Sequence, residues 1–385
     1  MAIEAERKYR IFISAAEPSA DSHCAAVIDA LKRMRGNFEF VGVGGAKMAG
    51  AGCELLENTS DKAVMIYKAF TAVLRFVKLL FRIKRYFKNN HVDLVVLCDS
   101  PAFNFHVAKA AKKIGIKTLF YVAPQLWAWA PWRIKKLKAC CDKLCCILPF
   151  EEEWFSQKGI DVTFVGNPLL DNIEGDLKKN KKDYRGFDVS KVKLALMPGS
   201  RSAEIKTLWP VMQSIAVKLK KKYPRISITT TAVDNNKKEV LRSLEILGFK
   251  CEYSIGTVLK TARESDFTLV ASGSATLQVA AAGCPMIIMY QSNKLIWHLL
   301  GRWLIKTKYL SLVNILAKKE LVPEFMPYLG PVETMTGTIV TILEDKTKLS
   351  QVSNDLVELV KPLQKGQACE NVAKIIVENC AINQQ

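Results

Sequence analysis

Short runs of apolar and β-branched residues alternate along this chain with amphipathic segments of helical period. A first series of runs occupies 9–14, 39–43, 93–98, 117–122, 143–148 and 161–165, and a second occupies 192–197, 226–231, 250–253, 267–271 and 285–290. Between them, segments such as 24–35, 107–113 and 209–223 repeat their apolar residues at three- and four-residue steps. Strands apolar on both faces and separated by helices predict parallel sheets covered on both sides. The expected class is α/β: two Rossmann-like domains with a cleft between them. The pattern lapses over GNPLLDNIEGDLKKNKKDYRG, 166–186, which is rich in Gly, Asn, Pro and Lys. A break there gives domains 1–165 and 166–385, the second closing with two or three helices over 334–381. The uncharged stretch 267–293 is long enough to cross a bilayer. Its Ser272, Gly273, Ser274, Gly283 and Pro285 divide it into strand, helix and strand instead.

Charge changes this picture more than composition does. The chain of 385 residues is 49% hydrophobic and 24% charged, ordinary for a globular protein, but its net charge is +19. Such an excess predicts an anionic partner: nucleic acid, an acidic lipid surface or a phosphorylated substrate. A helix-turn-helix, an RRM signature and zinc-finger spacing are all missing, so a nucleic-acid partner is not expected. The eleven cysteines and a charged N-terminus without a secretory signal point to cytoplasm and reduced thiols. Cys140-Cys141 and Cys145-Cys146 lack C-x-x-C spacing, so buried thiols are expected there rather than a metal site.

Ligands of open parallel sheets bind beyond the carboxyl ends of the strands, so the loops there carry the candidate chemistry. After the first strand, Glu17, Ser19 and Asp21 are either helix caps or polar groups aimed into a cleft. No G-x-G-x-x-G or P-loop is present. Asp99 ends a buried strand, placed to act as a general base on an attacking hydroxyl or to cap the helix that begins at Pro101. The loop PQLWAWAPW, 124–132, carries Trp127, Trp129 and Trp132, suited to stacking on a sugar or an acyl chain. In the second half, Gly199, Ser200 and Arg201 combine a glycine turn, a helix N-terminus and a guanidinium. Ser272, Gly273 and Ser274 repeat the scheme. Two such anion-ready loops in one domain suggest a nucleoside-diphosphate site.

The runs PGSRSAEI (198–205), PQLWAW (124–129), LPFE (148–151), GNPLLD (166–171) and SLVNILAKKELVPEF (311–325) together resemble the lipid-A-disaccharide synthase family in order and spacing. That resemblance implies the GT-B architecture, with the nucleotide in the C-terminal domain. It implies inverting transfer of 2,3-diacylglucosamine from UDP to the 6-hydroxyl of 2,3-diacylglucosamine 1-phosphate, with no metal and no cofactor. The implied partners are a UDP-linked acylated amino sugar, an acylated sugar-phosphate acceptor and the inner face of the cytoplasmic membrane, and family members can form homodimers. By the same resemblance Asp99 is the base and Arg201 the phosphate-binding arginine. Glu17, Ser19 and Asp21 form the first-loop motif, and Asn314 and Glu320 belong to the nucleotide-facing segment. Ala16 and Ala20 stand where the family favours Gly, Asn167 where His is usual, and Pro327 where Gln is. Gln278 replaces a Glu that in many related enzymes accepts from both ribose hydroxyls. These departures leave a relative acting on another UDP-amino-sugar, or an epimerase, as alternatives.

Residues 62–92 contain no acid. Within them Arg75, Lys78, Arg82 and Arg85 recur at helical steps beside Phe70, Val73, Leu74, Val77, Leu80, Phe81 and Phe87. This is the pattern of a basic amphipathic helix lying on anionic lipid.

Overall fold

In the computed structural model, residues 8–34, 37–59, 69–171, 173, 177–292, 297 and 307–381 are described, with the backbone alone of 69–73 and Ala381. The part of the basic segment at 62–68, and the side chains of Phe70 and Val73, lie outside the described residues. The chain divides into two compact units, Met1–Asp171 with Leu363–Gln385, and Asn172–Pro362.

The first unit alternates β1 (Tyr9–Ala15), α1 (Pro18–Arg33), β2 (Phe38–Gly44), α2 (Ala46–Gly50), β3 (Glu54–Asn58), α3 (Ala69–Asn89), β4 (Leu94–Cys98), α4 (Pro101–Lys112) and β5 (Lys117–Tyr121). It continues through α5 (Leu126–Trp129), α6 (Ile134–Lys138), β6 (Lys143–Cys146), α7 (Pro149–Ser156) and β7 (Val162–Phe164). The seven strands are all parallel, in the order β3-β2-β1-β4-β5-β6-β7. The order reverses between β1 and β4, the switch point where such sheets bind ligands. Every residue of β4 is buried, as expected of a central strand covered on both faces.

The second unit runs β8 (Lys193–Met197), α8 (Ser202–Lys222), β9 (Ser227–Ala232), α9 (Asn235–Ser243), β10 (Glu252–Ile255), α10 (Val258–Glu264) and β11 (Phe267–Ala271). Then follow α11 (Ala275–Ala281), β12 (Met286–Met289), α12 (Leu312–Ala317), β13 (Glu324–Phe325), α13 (Val332–Leu343) and α14 (Lys346–Val360). Its six parallel strands lie in the order β10-β9-β8-β11-β12-β13, with the switch between β8 and β11. The uncharged stretch forms β11, α11 and β12. Among the described residues no helix is long and apolar enough to cross a membrane.

The expected boundary needs a correction at its far end. The last helix, α15 (Ala368–Ala381), belongs to the first unit rather than to a domain 166–385. Its Cys369, Val372, Ala373, Ile376 and Cys380 share one core with Cys24, Val27, Ile28 and Leu31 of α1. The crossing is tied by Asp171, whose carboxylate accepts from the Ala368 and Cys369 amides at 3.0 and 3.4 Å. The cysteines are all free and mostly buried, and burial pushes the Cys145 thiol up to about 12.

Candidate active site

In the first unit the loops after β1, β4 and β5 build one face. Asp99 (φ 54°) and Ser100 (φ 41°) are consecutive left-handed residues, and Val122 at the end of the neighbouring β5 has φ 65°. A β-branched residue there is a genuine outlier, and such strain persists only where the surroundings enforce it. At Asp99 the enforcement comes from Asn104, fully buried one turn into α4. It accepts the Ser14 hydroxyl at 2.7 Å and donates to the Cys98 and Asp99 carbonyls at 3.1 and 2.7 Å. The Asp99 carboxylate is half-buried and accepts the Ser100 amide at 2.8 Å. The Ser100 hydroxyl donates to Glu17 at 3.3 Å, joining the β1 and β4 loops.

His23 on α1 completes this face and was not singled out from the sequence. Burial pushes its imidazole below the usual histidine value, opposed by the Asp99 carboxylate and reinforced by Lys47. Its ring lies edge-on to Tyr121, 6.3 Å between centroids. Its place two residues beyond Asp21 on the first-loop helix was the available signal.

In the second unit Gly199 turns the chain out of β8 with φ 99°, and a Cβ there would meet Glu204 Oε2 at 2.5 Å. Arg201 is the N-cap of α8. Glu204 accepts its amide at 3.2 Å and its guanidinium at 3.0 Å, leaving the Arg201 side chain 73% exposed at the helix's positive end. A cavity of ≈ 100 Å³ beside it is lined by Glu204, Thr207, Tyr290 and Gln291 among others. The parallel loop after β11 places Ser272 half-buried, Gly273 and Ser274 exposed, and Gln278 half-buried on α11. A larger cavity of ≈ 570 Å³, lined by His91, Asp93 and Lys117 among others, opens at the amino ends of β4 and β5, the wrong end for this chemistry.

The lipid-A-disaccharide synthetase family matches this chain over residues 11–378. The chain belongs to that family. It is 31% identical over 375 residues to the lipid-A-disaccharide synthase of Geobacter metallireducens, covering 96% of this chain and 97% of that one. It is 32% identical to lipid-A-disaccharide synthase 1 of Legionella pneumophila over the same shares. Among solved structures it resembles the UDP-GlcNAc 2-epimerase of Neisseria meningitidis bound to UDP-GlcNAc, with TM-score 0.63, 13% identity, and 98% and 100% of the two chains covered. It also resembles Acinetobacter baumannii MurG, with TM-score 0.55, 15% identity, and 96% and 99% covered. Those two likenesses show the two-domain GT-B fold. Family membership makes the protein a hexosyltransferase that forms the lipid A disaccharide.

Several family positions turn out to be braces. Asp21 is 4% exposed and accepts three amides at the start of α2: Gly45 at 2.7 Å, Lys47 at 3.1 Å and Met48 at 3.1 Å. Of its two alternatives, Asp21 therefore takes the capping one, at α2, and is not aimed into a cleft, whereas Ser19 is exposed. Asn314 is fully buried. It accepts the Leu321 and Val322 amides and donates to the Val322 carbonyl and the Glu324 carboxylate, pinning the segment around the exposed Glu320 rather than facing a ligand. Trp127 is core, 8% exposed, which corrects its expected ligand-facing role, whereas Trp129 is half-buried and Trp132 is 56% exposed.

The basic helix is corrected in the same way. Leu79, Ile83 and Phe87 of α3 face inward, and Phe87 meets Phe12 edge-on at 4.8 Å. Arg75 and Arg82 both pair with Glu57 of β3, at 3.0 and 2.6 Å, and Arg82 also donates to the Leu56 carbonyl. The acid missing from 62–92 is supplied by the preceding strand, β3. Lys78, Lys84, Arg85 and Lys88 remain exposed beside Leu74, Phe76, Val77 and Phe81.

Proposed function

We propose that the first unit binds the acylated sugar-phosphate acceptor and the second the UDP-linked acylated amino sugar. Asp99 takes the proton from the acceptor 6-hydroxyl as that oxygen attacks the anomeric carbon of the donor. The bond from that carbon to the UDP oxygen breaks with inversion, and the leaving diphosphate's charge is met by Arg201 and the amino end of α8. Gly199, Ser200, Ser272, Gly273, Ser274 and Gln278 line the donor side; Glu17, Ser19 and Trp129 line the acceptor side. The observation that carries the reading is the strained Asp99-Ser100 pair at the β1/β4 switch point, held by Asn104 and joined to Glu17. Strain maintained at a strand end by a fully buried side chain fits a carboxylate kept in a set orientation.

The exposed apolar and cationic residues of α3 serve as the docking face on the cytoplasmic leaflet, where acylated substrates reside. The deciding assay supplies UDP-2,3-diacylglucosamine and 2,3-diacylglucosamine 1-phosphate and follows both UDP and disaccharide. UDP release with no disaccharide, or neither product, would remove this substrate assignment.

A further inference from the structure

The loop PQLWAW and the motif LPFE meet through one buried hydrogen-bonded contact. Glu151, on the first turn of α7, is 1% exposed. Its Oε1 accepts the Trp127 indole N–H at 2.9 Å and its Oε2 accepts the Leu148 amide at 3.1 Å. The Trp127 ring also packs edge-on against Phe150 at 4.8 Å. Beyond this anchor the loop turns outward: Trp129 lies half-buried under the Arg133 guanidinium at 5.0 Å, and Trp132 is exposed. Helix α5 has four residues and follows the strained Val122, so local propensity cannot fix its course. A tertiary contact must.

We propose that Glu151 is a positioning residue whose carboxylate, gripping Trp127 and the Leu148 amide together, holds the 124–132 loop in the form that presents Trp129 and Trp132 to the acceptor. This rests on the reading that the loop meets the acceptor. The grip uses both carboxylate oxygens as acceptors, and a protonated carboxyl or an amide offers only one freely. Burial pushes Glu151 up to about 7, against the pull of the Trp127, Leu148 and Ile147 N–H groups. Among the described residues no charged group adds to that shift. The Cys146 thiol of β6 lies near and is itself pushed up by burial. On α7, Glu152 accepts the Phe164 amide and Glu153 accepts the Gln157 amide group. From the Trp127 side the nearest cations in sequence are Arg133, Lys135 and Lys136. The grip therefore loosens as pH falls through neutrality.

Tryptophan emission of the whole chain is followed from about pH 5.5 to about pH 8.5 in the parent, Glu151→Gln and Trp127→Phe, the last subtracted to isolate Trp127. The Trp127 signal titrates near neutrality in the parent and is flat in Glu151→Gln. In disaccharide assays at the alkaline end, Glu151→Gln raises the acceptor KM several-fold, with kcat and donor KM within about two-fold. The parent's acceptor KM climbs toward the variant's as pH falls. Should Glu151→Gln fail to fold, Trp127→Phe carries the kinetic arm and shows the same rise. A Trp127 signal that does not titrate, or an unchanged acceptor KM in a folded variant, overturns the proposal. The emission arm needs no substrate, so a titrating signal without any disaccharide product would count against the functional reading and not against the grip.

Discussion

At the scale of single residues, the consecutive left-handed Asp99 and Ser100 cost about 1–2 kcal/mol each and are held by Asn104 from beneath. Asp99→Asn keeps an oxygen for the Ser100 amide but removes the proposed base. Turnover should fall roughly 10²–10⁴-fold, while UDP affinity and Tm stay within error; near-normal turnover would dismiss Asp99 as the base. Arg201→Ala should weaken UDP and turnover together, and Arg201→Lys should restore only part, because a point charge does not reproduce a planar fork. Calorimetry with UDP decides this, and equal affinity in the alanine variant sinks it. Glu151 gives a pH prediction whose sign follows from its raised value. Its contribution to stability is fully present below the unfolded value and is lost as pH rises through about 7, roughly 3 kcal/mol in all. Glu151→Gln should therefore flatten the part of the stability curve between about pH 4.5 and 7, read from denaturant midpoints at fixed m. The strand-end placement of Asp99 and Arg201 was legible in the sequence, because each follows a continuous apolar run. The roles of Asp21, Asn314 and Trp127 were not, since their partners at Gly45, Val322 and Glu151 come from separate elements.

At the scale of elements, the central strands and the edge strands β7 and β10 announced themselves, while the edge strands β3 and β13 did not. The residues of β3, ELLEN, include only two apolar side chains and no fully buried position, and β13 has two residues; neither makes an apolar run. Missing β3 also hid Glu57, and with it the division of labour on α3. Arg75 and Arg82 staple the helix to the sheet edge, while Lys78 and Arg85 stay exposed. Lys78→Glu with Arg85→Glu should release the protein from anionic vesicles, each cation being worth about 1 kcal/mol at such a surface. Arg75→Ala with Arg82→Ala should chiefly lower stability, by roughly 0.2–1 kcal/mol for each pair, and Tm with it. Vesicle sedimentation and thermal melts on both variants check the contrast. Equal retention of the parent and the Lys78/Arg85 variant would remove α3 as the docking face.

At the scale of the whole molecule, the alternation of strands and helices made two parallel-sheet units readable, and the break near 166 lies close to the observed change at Asp171. The return of α15 was not readable, because its apolar stripe is the same whichever unit receives it. Val372 and Ile376 are fully buried in the first unit's core against α1, and Cys369 and Cys380 nearly so. Burying a Val or Ile side chain contributes about 1.5–3 kcal/mol, a large share of a domain's net stability of roughly 5–15 kcal/mol. Removing the chain after Pro362 should thus uncover Cys24, Val27, Ile28 and Leu31 and unfold the first unit, while the second keeps its own core of Leu196, Trp209, Leu269 and Ile287. Calorimetry of the truncated chain should lose one melting transition, retain the other and still register UDP. A truncated protein that kept both transitions would show that the first unit does not depend on α15; one that lost both would mean that the two units do not fold separately.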